Sequence, residues 1–193
     1  MEMRVLALGA YQTNCYLLWQ EDRNDCIVID PGYEPRRILQ AVKDLSKQIA
    51  AILLTHGHFD HVGAVRALAA ETGCRVYLDE KELSLPEGIT DGPLYYTDLY
   101  GTAAEEAGLR LKVMQTPGHT PGSVCLLIDD VIISGDTLFA GSCGRTDFPG
   151  GSWTKIYQSL KKLAALEGDF RVCPGHGGAT TLEEERKYNP YMQ

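Results

Sequence analysis

The sequence predicts an α/β (α+β) protein: two mixed β-sheets packed face to face, with helices on the outside. Three observations lead there. Short apolar runs separated by turn residues, the mark of hairpins, open the chain and return in its second half. Each hairpin group is joined to strands followed by segments of helical periodicity, so the same mixture occurs twice. The longest apolar stretches, such as Ala50–Leu54 and Val124–Ile128, fall far short of the roughly 18 residues of a membrane span.

Taken in order, Val5–Leu8, Tyr16–Trp19 and Cys26–Asp30 read as strands, and Pro31-Gly32 as the turn that ends the third. From Glu34 to Gln48 apolar residues recur at helical spacing. Ala50–Leu54 is a short buried strand, Gly63–Thr72 an Ala-rich helix closed by Gly73, and Arg75–Leu78 another strand. Residues 86–108, rich in Gly, Pro and Tyr, read as an irregular excursion with one short helix, and Tyr95, Tyr96 and Tyr100 in packing roles. Leu111–Gln115, Ser123–Ile128 and Val131–Ser134 are strands, the last two joined by the tight turn Asp129-Asp130. Ser152 suits the N-cap of a helix running to about Leu166. Arg171–Cys173 is a final strand. Thr181 caps a final helix with Glu183–Glu185 in its first turn.

The 193 residues fit one domain, 1–193, and a chain of this length buries roughly 70% of its unfolded surface. The net charge is −8 and there is no basic run, which excludes nucleic acid as a partner. The N-terminus has no export signal, so a cytoplasmic enzyme acting on a small molecule is expected, with no membrane partner. The six cysteines have no C-x-x-C spacing and are expected as free thiols. Cys26, Cys125 and Cys173 sit in apolar runs as small buried hydrophobes, whereas Cys143 lies in a glycine-rich loop.

The chemistry concentrates in Thr55-His56-Gly57-His58-Phe59-Asp60-His61. Three histidines and an aspartate fall within six residues, directly after a buried strand. One such histidine would be an ordinary polar loop residue, but this density of imidazole and carboxylate matches metal-site chemistry. His119 in Thr116–Gly122 and His176 in Cys173–Gly178 each follow a strand and lie among glycines, as does Asp136 in Ser134-Gly135-Asp136-Thr137. Glycine lets backbone pack closely, so side chains can be aimed at a crowded centre. These are all five histidines of the chain.

T-H-x-H-x-D-H, then G-H-T-P-G, G-D-T and a final G-H-G resemble the metallo-β-lactamase superfamily over nearly the whole chain. Gly135–Ser152, GDTLFAGSCGRTDFPGGS, is similar to the glyoxalase II group, especially its short bacterial members. The resemblance implies an αββα sandwich with the site at one edge of the strands. It implies two divalent metal ions, zinc first, with iron or manganese as alternatives. His56, His58 and His119 would hold one ion and Asp60, His61 and His176 the other, with Asp136 bridging. Asp136 and Asp60 would be the catalytic carboxylates, Asp60 also able to shuttle protons. Aspartate at 136 argues against a true β-lactamase, many of which carry cysteine there.

Glyoxalase II enzymes hydrolyse S-D-lactoylglutathione to D-lactate and glutathione, which implies a thioester hydrolase acting on a glutathione conjugate. Arg145, with Cys143 beside it, matches the substrate loop; a salt bridge from Arg145 to Asp147 is the alternative. The chain stops soon after His176, so the C-terminal helical domain that binds glutathione in larger members is expected to be absent. Two rivals stand on the same fold. A persulfide dioxygenase, similar over Gly141–Phe148, would bind one iron through His56, His119 and Asp136. A lactonase would use the same metal pair.

Overall fold

A computed structural model describes residues 1–193. The first half forms one six-stranded sheet. Its elements are β1 (Glu2–Leu8), β2 (Thr13–Trp19), β3 (Asp25–Ile29), α1 (Pro35–Asp44), β4 (Gln48–Leu53), α2 (Phe59–Val62), α3 (Val65–Thr72), β5 (Arg75–Leu78), a 3₁₀ turn at Glu80–Ser84, α4 (Glu87–Thr90) and β6 (Asp98–Leu99). The strands lie in sequence order, antiparallel from β1 to β3 and parallel from β3 to β6. The second half forms the other sheet from β7 (Ala103–Glu106), β8 (Leu109–Gln115), β9 (Val124–Ile128) and β10 (Val131–Gly135). It continues with the hairpin β11 (Leu138–Phe139) and β12 (Ser142–Cys143), then α5 (Trp153–Ala164), β13 (Arg171–Pro174), β14 (Thr180–Thr181) and α6 (Leu182–Tyr188). Its spatial order is β14-β13-β10-β9-β8-β7, with only the β10–β13 pair parallel.

Period-two alternation divides the apolar residues between layers. Along β2, Cys15 and Leu17 face the helix layer with Ile38 and Val42 of α1 and Leu68 of α3, whereas Tyr16 and Leu18 face the other sheet. Between the sheets Ile27, Ile29 and Leu53 meet Leu111, Leu126 and Ile133. Behind the second sheet, Cys125, Ile132 and Val172 pack on Leu160 and Leu163 of α5 and Leu182 of α6. The order is helix, sheet, sheet, helix, as expected. No helix is long and apolar enough to cross a membrane.

The helix ends obey local chemistry. Pro35 opens α1, where its missing N–H costs nothing. The Ser152 hydroxyl accepts the Lys155 N–H at the start of α5, and Thr181 does the same for Glu184 in α6. Gly73 closes α3 at φ +68°.

Two stretches differ from the sequence expectation. The helix expected over Gly63–Thr72 is α3, and a separate short helix, α2, precedes it, so Asp60 and His61 sit in a helical turn rather than an open loop. The His61 N–H closes that turn on the His58 carbonyl at 2.8 Å. The irregular excursion contains the one short helix expected, α4, and also two strands, β6 and β7. β6 is only two residues long, and pairing with β5, not its own composition, makes it a strand.

The topology gathers loops at one edge. β8 and β10 both run antiparallel to β9 and hence point the same way, and β13 runs parallel to β10. The ends of β8, β10 and β13 therefore emerge together. The Val124 N–H donates to the Thr55 carbonyl at 2.9 Å, tying this edge to the segment after β4.

Candidate metal centre

All seven expected ligands meet at that edge. His56 and His58 follow β4, Asp60 and His61 lie on α2, His119 follows β8, Asp136 follows β10 and His176 follows β13. His56, His58, Asp60, His61 and His119 are buried; Asp136 and His176 are partly open to the adjoining cavity. The ligand-type atoms fall into two halves. His56, His58 and His119 form one, and Asp60, His61 and His176 the other, with atoms in each set within 4.8 Å of one another. Asp136 spans both: Oδ2 lies 3.5 Å from His119 Nε2 and 3.6 Å from His176 Nε2, and Oδ1 lies 3.5 Å from His61 Nε2.

Hydrogen bonds on the outer sides of the rings aim the inner nitrogens. His61 Nδ1 faces Asp30 Oδ2 at 2.9 Å, His119 Nδ1 donates to the Arg145 carbonyl at 2.8 Å, and His176 Nδ1 donates to the Tyr11 carbonyl at 3.1 Å. The Nε2 atoms of His61 and His176 then face each other at 3.4 Å, and His119 Nε2 faces His58 Nδ1 at 2.9 Å. Opposed lone pairs repel unless a proton or cation lies between them. His56 Nε2 and Asp136 Oδ1 are buried without any hydrogen-bond partner. Orphaned buried polar atoms are costly, and here they point into a centre of nitrogen and carboxylate oxygen donors. The donor set fits divalent ions of the zinc, iron or manganese type.

Electrostatics follow the same division. Burial and neighbouring imidazoles push His58 down to about 3 and His56 well below the usual histidine range. Burial also opposes the charged form of His61, but Asp136, Asp30 and Asp60 outweigh it and carry the ring up to about 9. Burial would raise the Asp60 carboxyl, but the His176 hydrogen bond and the charge on His61 hold it below the usual range. A proton that these carboxylates hold on His61 Nε2 must leave before that nitrogen can bind a cation. Ion uptake at pH 7 is expected to release about one proton from this residue, and apparent affinity should climb with pH until about 9. Calorimetric titration in two buffers of different protonation enthalpy measures the release. Affinity independent of pH over that window would contradict it.

Beside the cluster lies a cavity of about 580 Å³. Tyr11, Phe59, Phe139 and Phe148 supply aromatic walls, and Cys143 and Arg145 also line it. Arg145 pairs bidentately with Asp147, both contacts at 2.7 Å, and stacks over the Phe148 ring at 3.9 Å, so the salt-bridge alternative holds alongside the cavity position. Burial raises the Cys143 thiol, which leaves less thiolate than an ordinary cysteine. Tyr95, Tyr96 and Tyr100 do not line the cavity; Tyr100 stacks on Tyr77. A larger cleft of about 660 Å³ opens near Leu39 and Lys47, but the Lys47 ammonium is already engaged by the Gln20 carbonyl.

Three supporting residues escape a reading of the sequence. Asp30, at φ +50°, accepts from the Thr55 N–H and hydroxyl as well as facing His61. Its one signal is a carboxylate ending the apolar run before Pro31-Gly32. Thr13 donates to Asp60 Oδ2 at 3.2 Å, and Glu82 is buried beneath the histidine loops. Neither has a sequence signal.

Residues 8–176 match the family model described as the Metallo-beta-lactamase superfamily, and the chain belongs to it as a metallo-hydrolase. Hydroxyacylglutathione hydrolase GloC of Haemophilus influenzae is 34% identical to it, over 100% of this chain and 98% of that protein. The BLEG-1 B3 metallo-beta-lactamase superposes with a TM-score of 0.90 at 33% identity over all of both chains. TTHA1623, solved in a di-iron-bound form, superposes at 0.87 with 37% identity over 97% of this chain and 99% of that one.

Proposed function

We propose that the protein is a dinuclear-metal thioester hydrolase of the glyoxalase II type, converting S-D-lactoylglutathione and water to D-lactate and glutathione. His56, His58 and His119 would hold one ion and Asp60, His61 and His176 the other, with Asp136 shared. Zinc is the first candidate; the di-iron neighbour makes iron the second. Two such ions would supply Lewis-acid activation of water at neutral pH and neutralise charge that develops on a carbonyl oxygen.

The observation that carries the proposal is that every histidine of the chain is engaged in this one cluster. None is left to protonate a leaving group. A thiolate departs without that help, whereas an amine needs it. Asp60 stands at the cavity wall with His176 at 3.2 Å; it would serve first as a ligand and second to shuttle protons. Tyr11 and Phe59, meeting edge to face at 5.3 Å, narrow one side of the cavity against bulk water. Arg145 and the Ser142–Cys143 strand also line the cavity, and an acyl or thiol portion would lie against them. The clustering of seven ligands, against the three that a mononuclear iron dioxygenase needs, favours the hydrolase.

The test is a thiol-release assay with the metal-loaded chain on lactoylglutathione, other acyl thioesters, a lactone and a β-lactam, with oxygen uptake followed on glutathione persulfide. Release of one thiol per acid formed, with thioesters turned over fastest, is expected. Oxygen consumption, or a β-lactam or lactone as the best substrate, would overturn the proposal.

A further inference from the structure

Glu82 lies in the 3₁₀ turn after β5 and is completely buried. A buried carboxylate is costly unless hydrogen bonds replace its lost water. Three do so here, all from uncharged donors. Oε2 accepts the Gly57 N–H at 2.5 Å, and Oε1 accepts the Thr120 hydroxyl and the Gly122 N–H, both at 2.7 Å. Gly57 stands between His56 and His58, and Thr120 follows His119. One carboxylate thus ties the loop carrying two imidazoles to the loop carrying the third.

The surroundings are shaped around that carboxylate. A methyl group on Gly57 would come 3.1 Å from Oε2, and one on Gly122 would come 2.8 Å from Oε1. The turn is itself anchored: Asp79 accepts the Lys81 N–H at 3.0 Å and the Gln115 side-chain amide at the end of β8. The Glu82 contacts serve the two loops.

We infer that Glu82 is a positioning residue: it sets the spacing of the His56–His58 loop against the His119 loop, and so the affinity of that half of the cluster for its ion. This rests on the metal assignment made under the proposed function. The requirement is for two acceptor oxygens. Glutamine has the same shape, but its NH₂ must face either the Gly57 N–H or the Thr120 and Gly122 donors, and opposed N–H donors repel.

The metal-loaded chain and its E82Q variant are challenged with increasing chelator while metal per chain and cobalt(II) absorption are followed. One of the two ions is expected to leave E82Q at roughly 10–100-fold lower chelator, with the other unaffected, as for loss of an outer partner of metal ligands. Unchanged retention of both ions, or equal weakening of both with a lowered melting temperature, overturns the inference. If E82Q does not fold, Thr120→Val, which removes one donor and keeps the carboxylate, should weaken the same ion, and Thr120→Ser should restore it. Wild-type retention by Thr120→Val overturns it too. A wild-type chain that holds fewer than two ions would overturn the metal assignment as well, a result distinct from normal binding in both proteins.

Discussion

Replacing Asp136 by alanine is expected to strip metal from both halves of the cluster and to lower turnover by more than about 100-fold. The expectation follows from where the carboxylate stands. Its two oxygens approach His61, His119 and His176, so one side chain serves imidazoles from both halves. Losing a partner outside the ligand shell typically costs about 10–100-fold in metal affinity or activity, and a shared ligand should exceed that range. Asp136 is also the leading charge that raises His61 against its burial, so proton release on ion uptake should fall in the variant. The carboxylate makes no hydrogen bond to backbone, and Oδ1 has no hydrogen-bond partner, so the secondary structure should survive. Metal analysis, turnover and far-UV dichroism check the three parts. Two retained ions with full activity would refute the assignment of the centre.

Gly175→Ala should cost about 100-fold in turnover while leaving the fold assembled. Gly175 follows β13 and is not in a left-handed conformation, so alanine is allowed by backbone geometry. Space is the obstacle. A methyl group there would lie 2.2 Å from Asp136 Oδ1 and 2.7 Å from His61 Cε1. Both must move, and a displacement of about 1 Å at a reacting centre can cost on the order of 100-fold. Gly178→Ala is the control three residues on: nothing lies within 4 Å of a methyl group there, and activity should be kept. Steady-state kinetics with melting curves separate the two. Equal activity in both variants would mean that the carboxylate and the imidazole are not held where the glycine leaves room.

The candidate ligands were legible because imidazole and carboxylate announce their chemistry wherever they stand. His56, His58, Asp60 and His61 cluster within six residues, and His119, Asp136 and His176 each follow an apolar run among glycines. The layer order was legible because β2 and β4 are apolar on both faces, which only a covered sheet accommodates. Two-residue strands such as β6 were not, since the partner strand makes them. Asp30 reads as the last residue of a strand, Glu82 as one more acid in the exposed-looking run DEKELS, and Tyr11, Phe59, Phe139 and Phe148 as unrelated aromatics.

The sequence by itself determined the family and the kinds of side chain available to bind a metal. Tertiary structure alone decided that seven side chains spread from His56 to His176 share one centre. It also decided that Asp30 and Glu82 stand behind that centre and that four distant rings wall its cavity. Donor character belongs to a residue and travels with its letter. Distance, burial and the match of a donor to an acceptor belong to pairs of residues, and only the packed chain fixes those.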